Sequence, residues 1–156
     1  MDDVKPIRSP RIIAAASATL TATVVLACPA TADPAPSLQG AVEQVRGSST
    51  CGQLEYDPVV EEAAEIVNRS SDVYLNHTAR HVPVADPLPI IHDLGVAGGK
   101  AISLYGAAPN TGDSIRSVLL QGYQAIPDCA YTKFGVSMLW NESTGKNLAT
   151  VVLVGP

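Results

Sequence analysis

The sequence predicts an α+β fold in which helices cover both faces of a small antiparallel sheet that ends in a C-terminal hairpin. Three observations predict it. Behind an Asp-Pro start signal, residues 58–75 carry the clearest helical period in the chain. Residues 132–154 change to strand composition, in two runs separated by turn residues. The second of those runs is apolar nearly throughout, as expected of a central strand covered on both sides. Helices first and a hairpin last make a layered α+β sandwich.

The chain opens with Lys5, Arg8 and Arg11, followed by the uncharged run IIAAASATLTATVVLA from Ile12 to Ala27. This run is about 16 residues long and only partly strongly apolar, whereas a bilayer-spanning helix needs about 20. Ala30-Thr31-Ala32 then offers small residues where a signal peptidase reads, and Asp33 begins a Pro-rich stretch. Residues 1–32 therefore read as a signal peptide cut before Asp33. Pro29 and the lack of a polar face argue against a buried Ala-rich helix. A lipoprotein alternative stays open, because Cys28 follows Val25-Leu26-Ala27, although Leu26 stands where a small residue is usual. Either cut places the mature chain, secreted or at the cell surface, outside the cytoplasm, with no transmembrane helix of its own.

The mature part is 124 of the 156 residues, which is one domain with room for a core. Of the 10 Lys and Arg and 15 Asp and Glu, three basic and two acidic residues precede residue 33. That leaves seven against thirteen and a formal charge of −6, compared with −5 for the whole chain. Seven scattered basic residues argue against a nucleic-acid partner, which requires clustered positive charge. With the cut before Asp33 only Cys51 and Cys129 remain, and in an oxidising compartment they most simply form one disulfide. Closing so long a loop is worth roughly 4 kcal/mol on the chain-entropy model. A reactive thiol is the alternative, but no paired histidine or Cys-x-x-Cys spacing supports it.

Residues 33–50, rich in Pro, Ser and Gly, read as a linker with a short helical possibility at Leu38–Val45, and the domain proper as 51–156. Asp57 caps a helix with Pro58 at its first position, where a missing N–H costs nothing. Val59, Val60, Ala63, Ala64, Ile66 and Val67 fall on its apolar side, and Glu61, Glu62, Glu65, Asn68, Arg69 and Asp72 on the other. Asp86-Pro87 repeats the start signal for a short helix through Leu88, Ile91 and Leu94, stopped by Gly95. After Gly98-Gly99, Ala101–Tyr105 reads as extended. A third helix is capped by Asp113, buries Ile115, Val118, Leu119 and Tyr123, and ends before Pro127, with Gly122 marking close packing. Thr132–Trp140 and Leu148–Val154 are the hairpin strands, joined through Asn141–Lys146. Trp140 and Tyr131 read as hairpin and core packing.

The order LEYDPVVEEAAEIVN, NHT, GVAGGKAISLYG, SIRSVLLQGYQAI and YTKFGVSMLW resembles the CAP superfamily of cysteine-rich secretory proteins, venom antigens and pathogenesis-related proteins, in a short bacterial form. The resemblance covers about Cys51–Val154 and is most specific at Leu54–Asn68 and Tyr131–Val136. It implies an α/β/α sandwich with a central cleft, where many members hold a metal on two histidines and two acidic residues. His77 matches the first of those histidines. Gly98-Gly99-Lys100 replaces the family's Gly-Glu-Asn, and Gly122-Tyr123 replaces its Gly-His pair. Arg116 and Ser117 stand near the position of its second glutamate. Tyrosine, lysine and glycine do not substitute for imidazole and carboxylate, so no metal and no cofactor are expected. His81, four residues after His77, and His92 do not rescue a site, because Pro83 and the absence of a central Glu exclude a metalloprotease helix.

No serine lies in a Gly-x-Ser-x-Gly elbow, and Gly95–Gly99 lacks a phosphate-loop ending. Sequons occur at Asn68, Asn76 and Asn141 and would matter only in a glycosylating host. The reading is an exported, non-enzymatic binding or interaction module. Since some CAP members bind sterols or fatty acids, the resemblance implies a lipid or other apolar small molecule in a cleft lined by His77, Tyr123, His81 and Tyr105. The alternatives are a secreted hydrolase using His77, and a surface antigen that only contacts an extracellular protein partner.

Overall fold

The computed structural model describes residues 34–156, with side chains from residue 37, so the export segment, its cut site and Cys28 lie outside the described residues. Its elements run α1 (Pro34–Gly47), β1 (Glu55–Tyr56), α2 (Pro58–Leu75), α3 (Leu88–Asp93), β2 (Lys100–Ala108), α4 (Thr111–Gln121), β3 (Lys133–Asn141) and β4 (Lys146–Gly155). None of these helices is long and apolar enough to cross a membrane.

The sheet order is β1-β3-β4-β2, which makes β4 a central strand as its apolar run predicts. Alternation along β4 divides the core in two. Ala149, Val151 and Leu153 pack with Leu38 and Val42 of α1 and Val118 of α4. Val152 and Val154 point the other way, against Val60, Ala63, Ala64 and Val67 of α2 and Ile91 of α3. The result is the α/β/α sandwich. Close approach is built in at Gly135 of β3, where a Cβ would overlap the α2 backbone at Val60–Glu61.

The local signals place most elements correctly. Asp57 caps α2 by accepting from the Val59 N–H at 2.9 Å, a bond worth about 1 kcal/mol. Its second oxygen takes Lys133 Nζ at 2.7 Å and so ties the helix start to β3. The hairpin register pairs Val136 with Val151 and Trp140 with Asn147. Tyr131 is buried as expected, while Trp140 remains largely exposed on the hairpin.

Several expectations are corrected. The sheet is mixed, because the two-residue β1 runs parallel to β3 and only the other pairings are antiparallel. Two residues are too few to show a strand period. The supposed linker is largely helix α1, whose Leu38 and Val42 are fully buried. Its turn-prone composition hides a stripe at i, i+4 and i+8 that includes Arg46, and packing rather than propensity secures the helix. The cap of α4 is Asn110, whose Oδ1 accepts from the Asp113 N–H at 2.9 Å, so Asp113 sits inside the first turn. Asn68, assigned to the polar side of α2, is buried, and Ile66, assigned to the apolar side, is exposed. Tyr123 lies beyond the end of α4 and is 65% exposed, with Ile126 filling the core in its place.

The cysteines pair as Cys51–Cys129, with Cα atoms 5.2 Å apart across a separation of 78 residues. Beside them Arg46 is only 2% exposed. Its Nε donates to Gly52 O at 2.7 Å, its terminal nitrogens to Ile126 O at 2.9 Å, Asp128 O at 2.7 Å and Tyr131 O at 2.9 Å. A buried cation thus organises both segments that carry the cysteines. Helix α1 is part of the domain for that reason.

Candidate functional site

At Pro83–Ala85 the chain bridges the second half of α2 and the sheet edge at β2. Between them lies a cavity of about 400 Å³, a size typical of small-molecule sites. Its walls are mainly apolar: Leu75 of α2, Pro83 and Val84 of the returning segment, Ala107 of β2 and Leu148 of β4. Tyr74, Ala85 and Ala107 are exposed and form the rim, while Asn68, Thr150 and Leu148 are buried and form the floor.

The returning segment is held at one residue. Tyr105 Oη donates to Val84 O at 2.6 Å, and the Val84 N–H donates to Ser70 Oγ at 3.1 Å. Both backbone groups of Val84 are therefore satisfied by side chains from the two walls that it bridges. Tyr105 is the one predicted cleft residue that lines this cavity.

The floor is polar. Asn68 Nδ2 donates to Ser137 Oγ and to Leu148 O, both at 3.2 Å. A carbonyl only accepts, so the bond to Leu148 fixes which end of the amide faces the sheet. The Asn68 Oδ1 atom makes no hydrogen bond among the described residues. Thr150 stands between Ser137 on β3 and Tyr105 on β2 in the strand register. Its Oγ1 is buried without a partner, as is Ser103 Oγ on the same sheet face. Leaving such groups unpaired is costly, and the lining holds no charged side chain to compensate.

His77, His81 and Tyr123 are exposed and do not line the cavity. His77 has φ 58 because it closes α2: its N–H donates to Tyr74 O at 3.0 Å and the Thr78 N–H donates to Val73 O at 3.0 Å. This is the paired closure of a Schellman ending, with histidine in the left-handed position that glycine usually takes. The role found for His77 is a backbone one. Because α4 packs on the opposite face of the sheet from α2, its end cannot complete a cleft with His77. His92 Nε2 lies 2.8 Å from Gly98 O. Among the described residues no three His, Cys, Asp or Glu side chains come together as metal ligands.

Two of the sequons are consumed by the fold. Asn68 spends its amide nitrogen as above, and buried Asn141 Nδ2 donates to Asp72 Oδ1 at 2.7 Å and Asn76 Oδ1 at 2.9 Å. Asparagine at those two positions is a packing choice. The floor itself left a trace in the sequence: Ser103, Ser137 and Thr150 are polar interruptions of strands, and all three fall on the face toward α2.

No protein-family model and no curated protein matches the sequence. Solved structures do match the fold. An outer surface protein of Borrelia burgdorferi aligns with TM-score 0.61 and 15% identity, over 77% of this chain and 90% of that one. An extracellular protein containing an SCP domain from Bacillus anthracis aligns with TM-score 0.54 and 14% identity, over 79% of this chain. A cysteine-rich secretory protein from Staphylococcus aureus aligns with TM-score 0.57 and 11% identity, over 82%. The chain spans 40% of the length of each of the last two. At these identities the likeness shows the fold, and that fold is the SCP, or CAP, sandwich.

Proposed function

We propose that the protein is an exported, non-enzymatic binding module that holds an apolar small molecule between α2 and the sheet. The observation that carries this reading is the cavity of about 400 Å³, walled by Leu75, Pro83, Val84 and Leu148. An apolar occupant removes that surface from water at about 25 cal/mol per Å². The export signature of residues 1–32 and the likeness to proteins described as extracellular or outer-surface support the location.

The test is solvent extraction of the purified protein followed by mass spectrometry, together with titration of a hydrophobic fluorescent probe. A co-purifying apolar molecule and saturable binding are expected. Ala107→Trp, at an exposed rim position, should weaken binding at least about tenfold with little change in melting temperature. No retained molecule and no saturable binding would overturn the reading, and would leave contact with another extracellular protein as the function to pursue by pull-down.

A further inference from the structure

Building on that reading of the cavity, we propose that its occupant carries a neutral hydrogen-bond donor, an aliphatic hydroxyl, which docks on Asn68 Oδ1 at the floor, and that ionised carboxylates are refused.

The floor is preset by groups that cannot turn. Asn68 is 1% exposed and is anchored through Nδ2 to Leu148 O and Ser137 Oγ. Flipping its amide would set oxygen against the Leu148 carbonyl oxygen. Its Oδ1 is thus a fixed acceptor at the cavity wall. Next to it in the fold, Thr150 is 0% exposed and its hydroxyl has no partner. A threonine hydroxyl both donates and accepts. That hydroxyl is closed off from solvent and leaves Asn68 Oδ1 unserved, so a ligand hydroxyl that donates to Asn68 meets the one acceptor the floor presents to the cavity.

An ionised carboxylate fits neither condition. It only accepts, so it would meet Asn68 Oδ1 oxygen to oxygen. It would also lose its water where no Lys, Arg or His lines the wall. An ether of the same shape accepts but cannot donate. Water in solution meets the same demand, and a ligand hydroxyl replaces it without losing a bond, whereas the ether cannot. The apolar body of the ligand then lies along Leu75, Val84 and Leu148.

The experiment titrates the purified protein with 1-octanol, its methyl ether and octanoate at neutral pH, read by calorimetry or by NMR shifts. Octanol is expected to bind about tenfold more tightly than the ether, with octanoate weakest. Asn68→Leu should abolish the preference for octanol over the ether. The comparison of alcohol with ether on the native protein keeps the proposal open to refutation even where Asn68→Leu fails to fold. Equal binding of alcohol and ether, tighter binding of octanoate, or a preference unchanged by Asn68→Leu would overturn the hydroxyl assignment while leaving apolar binding intact. Failure of all three compounds to bind the native protein would instead overturn the binding reading.

Discussion

At the end of the sheet where β3 begins and β4 finishes, Arg46 is buried, and its guanidinium makes four hydrogen bonds to backbone carbonyls beside the Cys51–Cys129 bridge. Toward the other end, where β4 begins, the Thr150 hydroxyl is buried without a partner and Asn68 Oδ1 makes no hydrogen bond among the described residues, beside a cavity. The first region spends its polar groups on the chain itself, and a group spent this way holds the fold. The second leaves acceptor capacity at Asn68 unspent, at a cost in stability that a bound molecule or water can offset.

The largest effect should come from breaking the first region. Arg46→Met keeps the length of the side chain but leaves four carbonyls without their donor, and should destabilise by on the order of 3 kcal/mol or more in denaturant melts. A loss below about 1 kcal/mol would mean that water already serves those carbonyls. Next, replacing Cys51 and Cys129 by serine should cost about 2–4 kcal/mol. Mass spectrometry of the native protein without reductant should show the two cysteines joined, and two free thiols would remove the covalent half of this region.

Acid should separate the ends further. The hydrogen bond from Lys133 holds Asp57 below its ordinary value of 3.8, despite the opposing effect of burial. A lowered carboxylate contributes stability that is complete above its ordinary value and is lost as pH falls through the folded one. Melting temperature should therefore drop as pH falls below about 4, and Lys133→Met should flatten the drop. The cavity, lined by no carboxylate, imidazole or amine, should bind a neutral ligand equally well across the same interval, wherever the chain stays folded. The smallest effect is Thr150→Val, which removes an unpaired hydroxyl and should leave the free protein unchanged or stabler by up to about 1 kcal/mol. Clear destabilisation would show that the hydroxyl is already served.

What was legible in the sequence was local. Asp57-Pro58 and the period that follows locate α2, and the change of period after Thr132 locates the hairpin, because caps and alternation act over a few residues. Helix α1 was legible only as a short helical possibility at Leu38–Val45, since Leu38, Val42 and Arg46 become a stripe only when a core receives them. The site was mostly hidden as well. Of the residues expected in a cleft, Tyr105 lines the cavity, whereas His77 lies outside it and ends a helix. Asn68 was assigned to the solvent side, because a wheel cannot register a sheet that buries part of the polar face.

The sequence by itself determined the layered α+β class, the cysteine pair and the central strand, each a matter of residue identity or short-range order. Only the tertiary structure decided where the cavity lies and which polar groups face it. Asn68, Val84, Tyr105 and Thr150 come from four separate segments, and their meeting depends on how α2, the returning segment and the sheet pack together, which no single segment encodes.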